Sequence, residues 1–180
     1  MRGTKMVDFL IALVLLVASV SAALAENRPA RPDFRGMSQK ACRILQNEGY
    51  DVDYRECTVD GRCQNGVYSL ELTTPGGGAY AVSLTQDGTV KALVNHRGRQ
   101  GTPEDNPHLD GETLEKIEQK VDSFLKKNNP ALRENIGKLN VIHSLTEGDE
   151  THVEVVDSRN RMYISLQLTP ETRVWYFNEN

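Results

Sequence analysis

Residues 66–94 read GVYSLELTTPGGGAYAVSLTQDGTVKALV, and their pattern decides the fold class. Apolar and polar side chains alternate through 66–72, 80–84 and 90–94, as strands with one buried face require. Pro75-Gly76-Gly77-Gly78 and Asp87-Gly88 fall between the runs as turns. One face of each strand is apolar and the other more polar, which suits an antiparallel sheet covered on one side. The cover lies upstream. Ser38 can cap a helix over 38–47 that gathers Ala41, Cys42, Ile44 and Leu45 on one face and stops at Gly49. The alternation of 51–54 predicts a short strand after it.

Downstream of 66–94 the pattern breaks at HRGRQGTPEDN, and 96–109 reads as a linker. Asp110 then caps a helix whose stripe is Leu114, Ile117, Val121 and Phe124, with Asn128-Asn129-Pro130 as its end. Strand-like runs follow at 139–145, 152–156, 162–168 and 174–177, with turns at Gly148-Asp149 and Ser158-Arg159-Asn160. The expected fold is α+β, with two helix-plus-antiparallel-sheet units at 37–95 and 110–180. Their common order suggests a tandem repeat, although the halves share no aligned identities. Each unit alone buries little core, so pairing the two stabilises both.

The N-terminus places the chain. Arg2 and Lys5 precede an uncharged apolar run from Phe9, and Ala23-Leu24-Ala25 gives the small-x-small pattern of a signal-peptidase site. Residues 1–25 are therefore expected to be a signal peptide cleaved after Ala25, leaving a periplasmic or secreted protein. A retained anchor is the rival reading, and the membrane is a partner only in that case. The Pro-rich, charged stretch 26–36 reads as a flexible arm. Of 21 basic and 25 acidic residues, cleavage removes Arg2, Lys5 and Asp8, leaving a formal charge of −5. A mildly acidic surface of mixed charge does not favour nucleic acid.

Cys42, Cys57 and Cys63 all lie early in the mature chain. Export makes one disulfide expected, with one thiol left over. Asp60-Gly61 is a turn signal, and a three-residue loop over 59–61 would pair Thr58 with Arg62 and set Cys57 opposite Cys63. That register bonds Cys57 to Cys63 and leaves Cys42 free. A two-residue turn would set Cys57 opposite Gln64, and a bond from Cys42 to either partner is the remaining alternative. Three Cys with no His nearby do not make a structural zinc site.

The first unit resembles the PepSY family. A short helix is followed by Val67-Tyr68-Ser69-Leu70-Glu71-Leu72, then Gly76 to Leu84 with Tyr80 and Val82, then Asp87-Gly88-Thr89-Val90. The likeness covers roughly 38–94. Gly88-Thr89 stands where many members have Thr-Gly, and the 57–63 segment departs from the family pattern. The second unit is similar to PepSY or to cystatin, a helix on a curved antiparallel sheet. The resemblance implies protein binding or inhibition, since PepSY domains occur on protease propeptides and in exported bacterial proteins.

No stretch reads as a catalytic, cofactor or metal site. His96 and His108 flank the linker, and His143 and His152 lie on neighbouring strands with Glu154 as the nearest third ligand. His96 and His108 read as solvent-exposed, and His143 and His152 as strand residues on the polar face. Cys42 as a nucleophile would need a His base from the other unit, and no nucleophile-elbow motif is present. Asp51/Asp53 and Asp149/Glu150 do not continue into a calcium loop. Gly76-Gly77-Gly78 leads into a strand and so lacks the helix N-terminus that binds phosphate. Alternation sets Trp175 and Phe177 on one face and Tyr176 on the other, making Trp175 and Phe177 either core or a binding edge. Trp175 is expected in the core.

The expected function is that of an exported, non-enzymatic binding or inhibitory protein of the cell envelope, its partner another exported or envelope protein. The alternative is a small-ligand-binding envelope protein with a cystatin-like cone pocket. No cofactor is expected.

Overall fold

Two four-strand meanders, each preceded by a helix, meet strand to strand in one antiparallel sheet. The computed structural model describes residues 32–96, 104–105 and 108–180. The expected signal segment, most of the expected arm and most of the expected linker lie outside the described residues. Helix α1 (Phe34–Asn47) leads the first meander, β1 (Thr58–Gln64), β2 (Val67–Thr73), β3 (Ala79–Thr85) and β4 (Val90–Asn95). A two-residue strand, β5 (Glu104–Asp105), falls within the expected linker and pairs with β6. Helices α2 (Gly111–Asn128) and α3 (Pro130–Asn135) lead the second meander, β6 (Leu139–Glu147), β7 (Glu150–Asp157), β8 (Met162–Thr169) and β9 (Arg173–Glu179). The strand order is β1-β2-β3-β4-β9-β8-β7-β6-β5, so the closing strands of the two meanders are neighbours.

The helices start and stop where local hydrogen bonding allows. Asp33, not Ser38, caps α1, accepting from the Gly36 N–H at 2.9 Å. Ser38 lies one turn inside and donates its hydroxyl to the Phe34 carbonyl at 2.7 Å. Residues 34–36 thus belong to the helix and not to the arm. At the other end Gly49 has φ +83°, and the Gly49 and Tyr50 N–H groups return to the Gln46 and Leu45 carbonyls. This is the glycine-dependent C-terminal motif that satisfies the last carbonyls. Asp110 caps α2 as expected, accepting from the Thr113 N–H at 2.7 Å. Asn129 ends α2 and caps α3 in turn, with Pro130 at the first helical position.

Across the sheet, register joins Leu70, Val82, Leu93, Phe177, Ile164 and Val155 in one buried row. Ala41, Leu45, Ile117, Val121 and Phe124 from the helices belong to the same core, so both helices cover the same sheet face. Phe124 meets Phe177 edge-on at 5.1 Å between ring centres. A buried polar joint ties the halves together. The Glu48 carboxylate accepts from the Val174 N–H at 3.0 Å and pairs with Lys120 at 2.7 Å, while the Tyr50 hydroxyl donates to the Val174 carbonyl at 2.7 Å. One contact set therefore links α1, α2 and β9. Residues 33–180 pack as one unit.

Two expectations about the first meander fail. Residues 51–54 do not form a strand. The three-residue hairpin around Asp60-Gly61 is not formed either, because β1 runs unbroken through both residues and pairs with β2 from Thr58↔Thr73 to Gln64↔Val67. The turn is Asn65-Gly66, where φ is +53° and +77°. Two positive values in a two-residue loop are what a type I′ hairpin needs. Gly61 serves packing instead of turning, since a Cβ there would lie 2.7 Å from the Leu70 Cδ2 and any larger residue would make Leu70 shift. Among the described residues, no helix is long and apolar enough to cross a membrane.

Candidate functional site

The sheet face turned away from the helices differs in chemistry between its halves. Period-two alternation carries a row from Glu71 through Ala81, Val94, Tyr176, Ser165 and Glu154 to His143. A second row runs from Ser69 through Ser83, Ala92, Asn178 and Tyr163 to Val156. On β2–β4 these positions hold mostly small side chains. On β6–β9 they include Tyr176, Tyr163, His143 and Glu154, beside Ser165, Asn178 and Val156.

Glu154 is the hub of the first polar group. His143 is its register partner, with Nδ1 2.8 Å from a Glu154 carboxylate oxygen. The Tyr163 hydroxyl also hydrogen-bonds Glu154, and Ser165 hydrogen-bonds Tyr163. Burial first, and then the bond to Glu154, push the Tyr163 phenol above its ordinary range, so it remains a protonated donor. Its ring packs edge-on against Tyr176 at 5.5 Å.

Trp175 centres the second group. Its Nε1–H donates to the Gln167 side-chain oxygen at 2.9 Å, and Gln167 donates in turn to the Thr169 carbonyl at 2.9 Å. The His152 ring lies edge-on to the indole at 5.1 Å, and its Nε2 is 3.4 Å from a Glu150 oxygen. His152 sits opposite Leu145 in the register, and so does not face His143. His96 pairs with Glu71 at 3.4 Å across exposed surface, and His108 is exposed. Among the described residues, no three His, Cys, Asp or Glu side chains are grouped to hold a metal ion.

The expected pairing of Trp175 with Phe177 on one face is corrected. Ser165 pairs with Tyr176 while Leu166 pairs with Val174, so Trp175 is the extra residue of a β-bulge. The bulge turns Trp175 and Tyr176 to the uncovered face and leaves Phe177 fully buried under α2. Trp175 is half-buried there, not core. Nor is this a sheet edge, since β9 lies between β4 and β8.

The cysteines are also rearranged. Cys57 stands one residue before β1 and Cys63 near its far end, and six steps along the extended chain separate them by roughly 20 Å. That span is far beyond a disulfide's reach, so the expected Cys57–Cys63 bond lost its basis with its hairpin. All three thiols are unbonded. Cys42 is buried on α1 as expected, and its side chain interacts with that of Cys57. Burial raises both thiols, Cys42 to about 11, so neither is an activated nucleophile.

No family model, curated protein or solved structure matches this chain.

The site residues that sequence reasoning missed are Tyr163, Gln167 and Tyr176. The alternation of Tyr163 and its neighbours with Met162, Ile164 and Leu166 marked the strand, but which face stays uncovered is a property of how the halves assemble.

Proposed function

We propose that this is an exported, non-enzymatic binding or inhibitory protein of the cell envelope, which engages another exported or envelope protein through the uncovered face of the second meander. The observation that carries the reading is the grouping of Trp175, Tyr176, Tyr163, His152 and His143 on one half-buried sheet face. Protein interfaces concentrate Trp and Tyr because such rings bury large area at little entropic cost while keeping a polar tip. Hydrogen bonds to Gln167 and Glu154 hold the rings in place before binding, which lowers the ordering cost. Burial raises the Cys42 and Cys57 thiols, which argues against a cysteine nucleophile at that place. The alternative, a small ligand in a cone between sheet and helix, draws less support, because Phe124, Phe177, Leu93 and Ile164 fill that space.

A duplication is part of the same proposal. Each half runs from a helix into four antiparallel strands, and the closing strands β4 and β9 pair antiparallel, as a two-fold repeat would place them. The PepSY-like reading of the first half accords with this order.

The test is capture from envelope extract on immobilised protein, comparing the parent with Tyr176→Ser, with Trp175→Ser and with Arg133→Ala as a remote control. A partner held by parent and control and lost by both face variants supports the reading. A partner held equally by all four sinks it.

A further inference from the structure

Cys42 occupies the buried face of α1, and Cys57 stands immediately before β1. Cys57 lines an open surface cleft of about 530 Å³ together with Phe34, Ser38 and Val59. Ser38 lies one helical turn ahead of Cys42, so the segment leading into β1 runs along the same face of α1. Both cysteines pack against the core, and each side chain is close enough to act on the other's thiol. Cys63 is excluded by position, at the far end of β1 opposite Tyr68.

We propose that Cys42 and Cys57 form a disulfide when the chain folds under oxidising conditions, tying α1 to the lead-in of β1 and leaving Cys63 as a thiol. The two side chains already act on one another, so the bond asks for a local adjustment of the two cysteines and not for a rearrangement of the fold. The oxidant is itself a disulfide, either a small one such as oxidised glutathione or one carried by a protein donor. Cys57, the more accessible of the two, loses its proton and its sulfur attacks one oxidant sulfur. The oxidant's S–S bond breaks and one thiolate leaves. Cys42, deprotonated in turn, attacks the Cys57 sulfur, which breaks the mixed disulfide and releases the second thiolate. Both thiol protons end on the released thiolates, and both electrons on the oxidant. The raised thiols slow the closing step near neutral pH without altering this balance.

The tryptic map keeps the three cysteines apart. Lys40, Arg43, Arg55, Arg62 and Lys91 give tryptic peptides 41–43, 56–62 and 63–91, each with one cysteine. The full chain is folded in a mixed oxidised and reduced glutathione buffer, its remaining thiols are alkylated, and it is digested without reduction. The expected product joins 41–43 to 56–62 with the loss of two hydrogens, while 63–91 carries the alkyl group. A bond involving Cys63, or alkylation of all three cysteines, overturns the proposal. As a second readout, a reductant should lower the Tm of the oxidised parent by roughly 6–12 °C, and should leave Cys57→Ser unmoved. A parent Tm indifferent to reductant contradicts the assignment.

Discussion

On the open face of the first meander stand Ser69, Ala81, Ser83 and Ala92 beside Glu71 and Val94, and on that of the second stand His143, Glu154, Tyr163, Trp175 and Tyr176 beside Val156, Ser165 and Asn178. On the covered face the halves are alike, Leu70, Val82 and Leu93 in one and Val155, Ile164 and Phe177 in the other. Packing under the helices asks the same of both halves, a row of aliphatic or aromatic side chains. The open face is under no such demand, so its residues are free to serve a partner. On our proposal the second meander carries the working surface and the first supports it.

The comparison breaks hardest at Phe177. Phe177→Ala removes the ring that faces Phe124 and should cost about 4 kcal/mol in urea denaturation. A loss below that of an ordinary surface change would mean that β9 does not join the halves through the core. Glu48→Ala should come next, at about 3 kcal/mol, because it strips Lys120 of a buried partner and leaves the Val174 N–H unmet. If that variant keeps full stability, the polar joint does not hold the halves together.

Asp157 sharpens the contrast through pH. Its buried side chain accepts from the Gly137, Arg159, Arg161 and Met162 N–H groups. Burial alone would raise this carboxyl, but the backbone donors outweigh it and hold it below the ordinary carboxylate value. A depressed folded value gives stability that is complete above the unfolded carboxyl range near about pH 4 and lost as pH falls through the lower folded value. Asp157→Ala should cost about 2 kcal/mol at neutral pH, and Asp157→Asn should flatten the acid limb of a stability–pH curve. An acid limb unchanged in Asp157→Asn would assign it to other carboxylates. The smallest effect belongs to Trp175. Trp175→Ala should cost only about 1 kcal/mol, since the half-buried ring loses one hydrogen bond and little core packing. A loss as large as that of Phe177→Ala would return Trp175 to the core.

Strands β2, β3 and β4 were legible because alternation and Gly-containing turns agree there, and α2 because Asp110 and the Ile117–Val121–Phe124 stripe agree. At β1 two signals competed. Asp60-Gly61 imitates a turn, yet Gly61 is there to admit Leu70, and the better hairpin signal, Asn65-Gly66, lay a few residues further on. The Cys57–Cys63 pairing followed the wrong turn. The candidate site was hidden for another reason. A bulge opposite Ser165 and Leu166 reverses the face of Trp175 relative to strict alternation, and bulges depend on the neighbouring strand's register. Asp33 took the cap expected of Ser38 because it lies one residue before the first turn, where its carboxylate meets the free Gly36 N–H.

The central claim is that the second meander's open face is the one that meets a partner. Site-specific photocrosslinking in producing cells tests this most directly, comparing Tyr176→p-benzoylphenylalanine with Ser83→p-benzoylphenylalanine on the opposite half of the same face. A discrete adduct from position 176 and none from position 83 is the predicted result. An adduct from position 83 with none from 176 would contradict it.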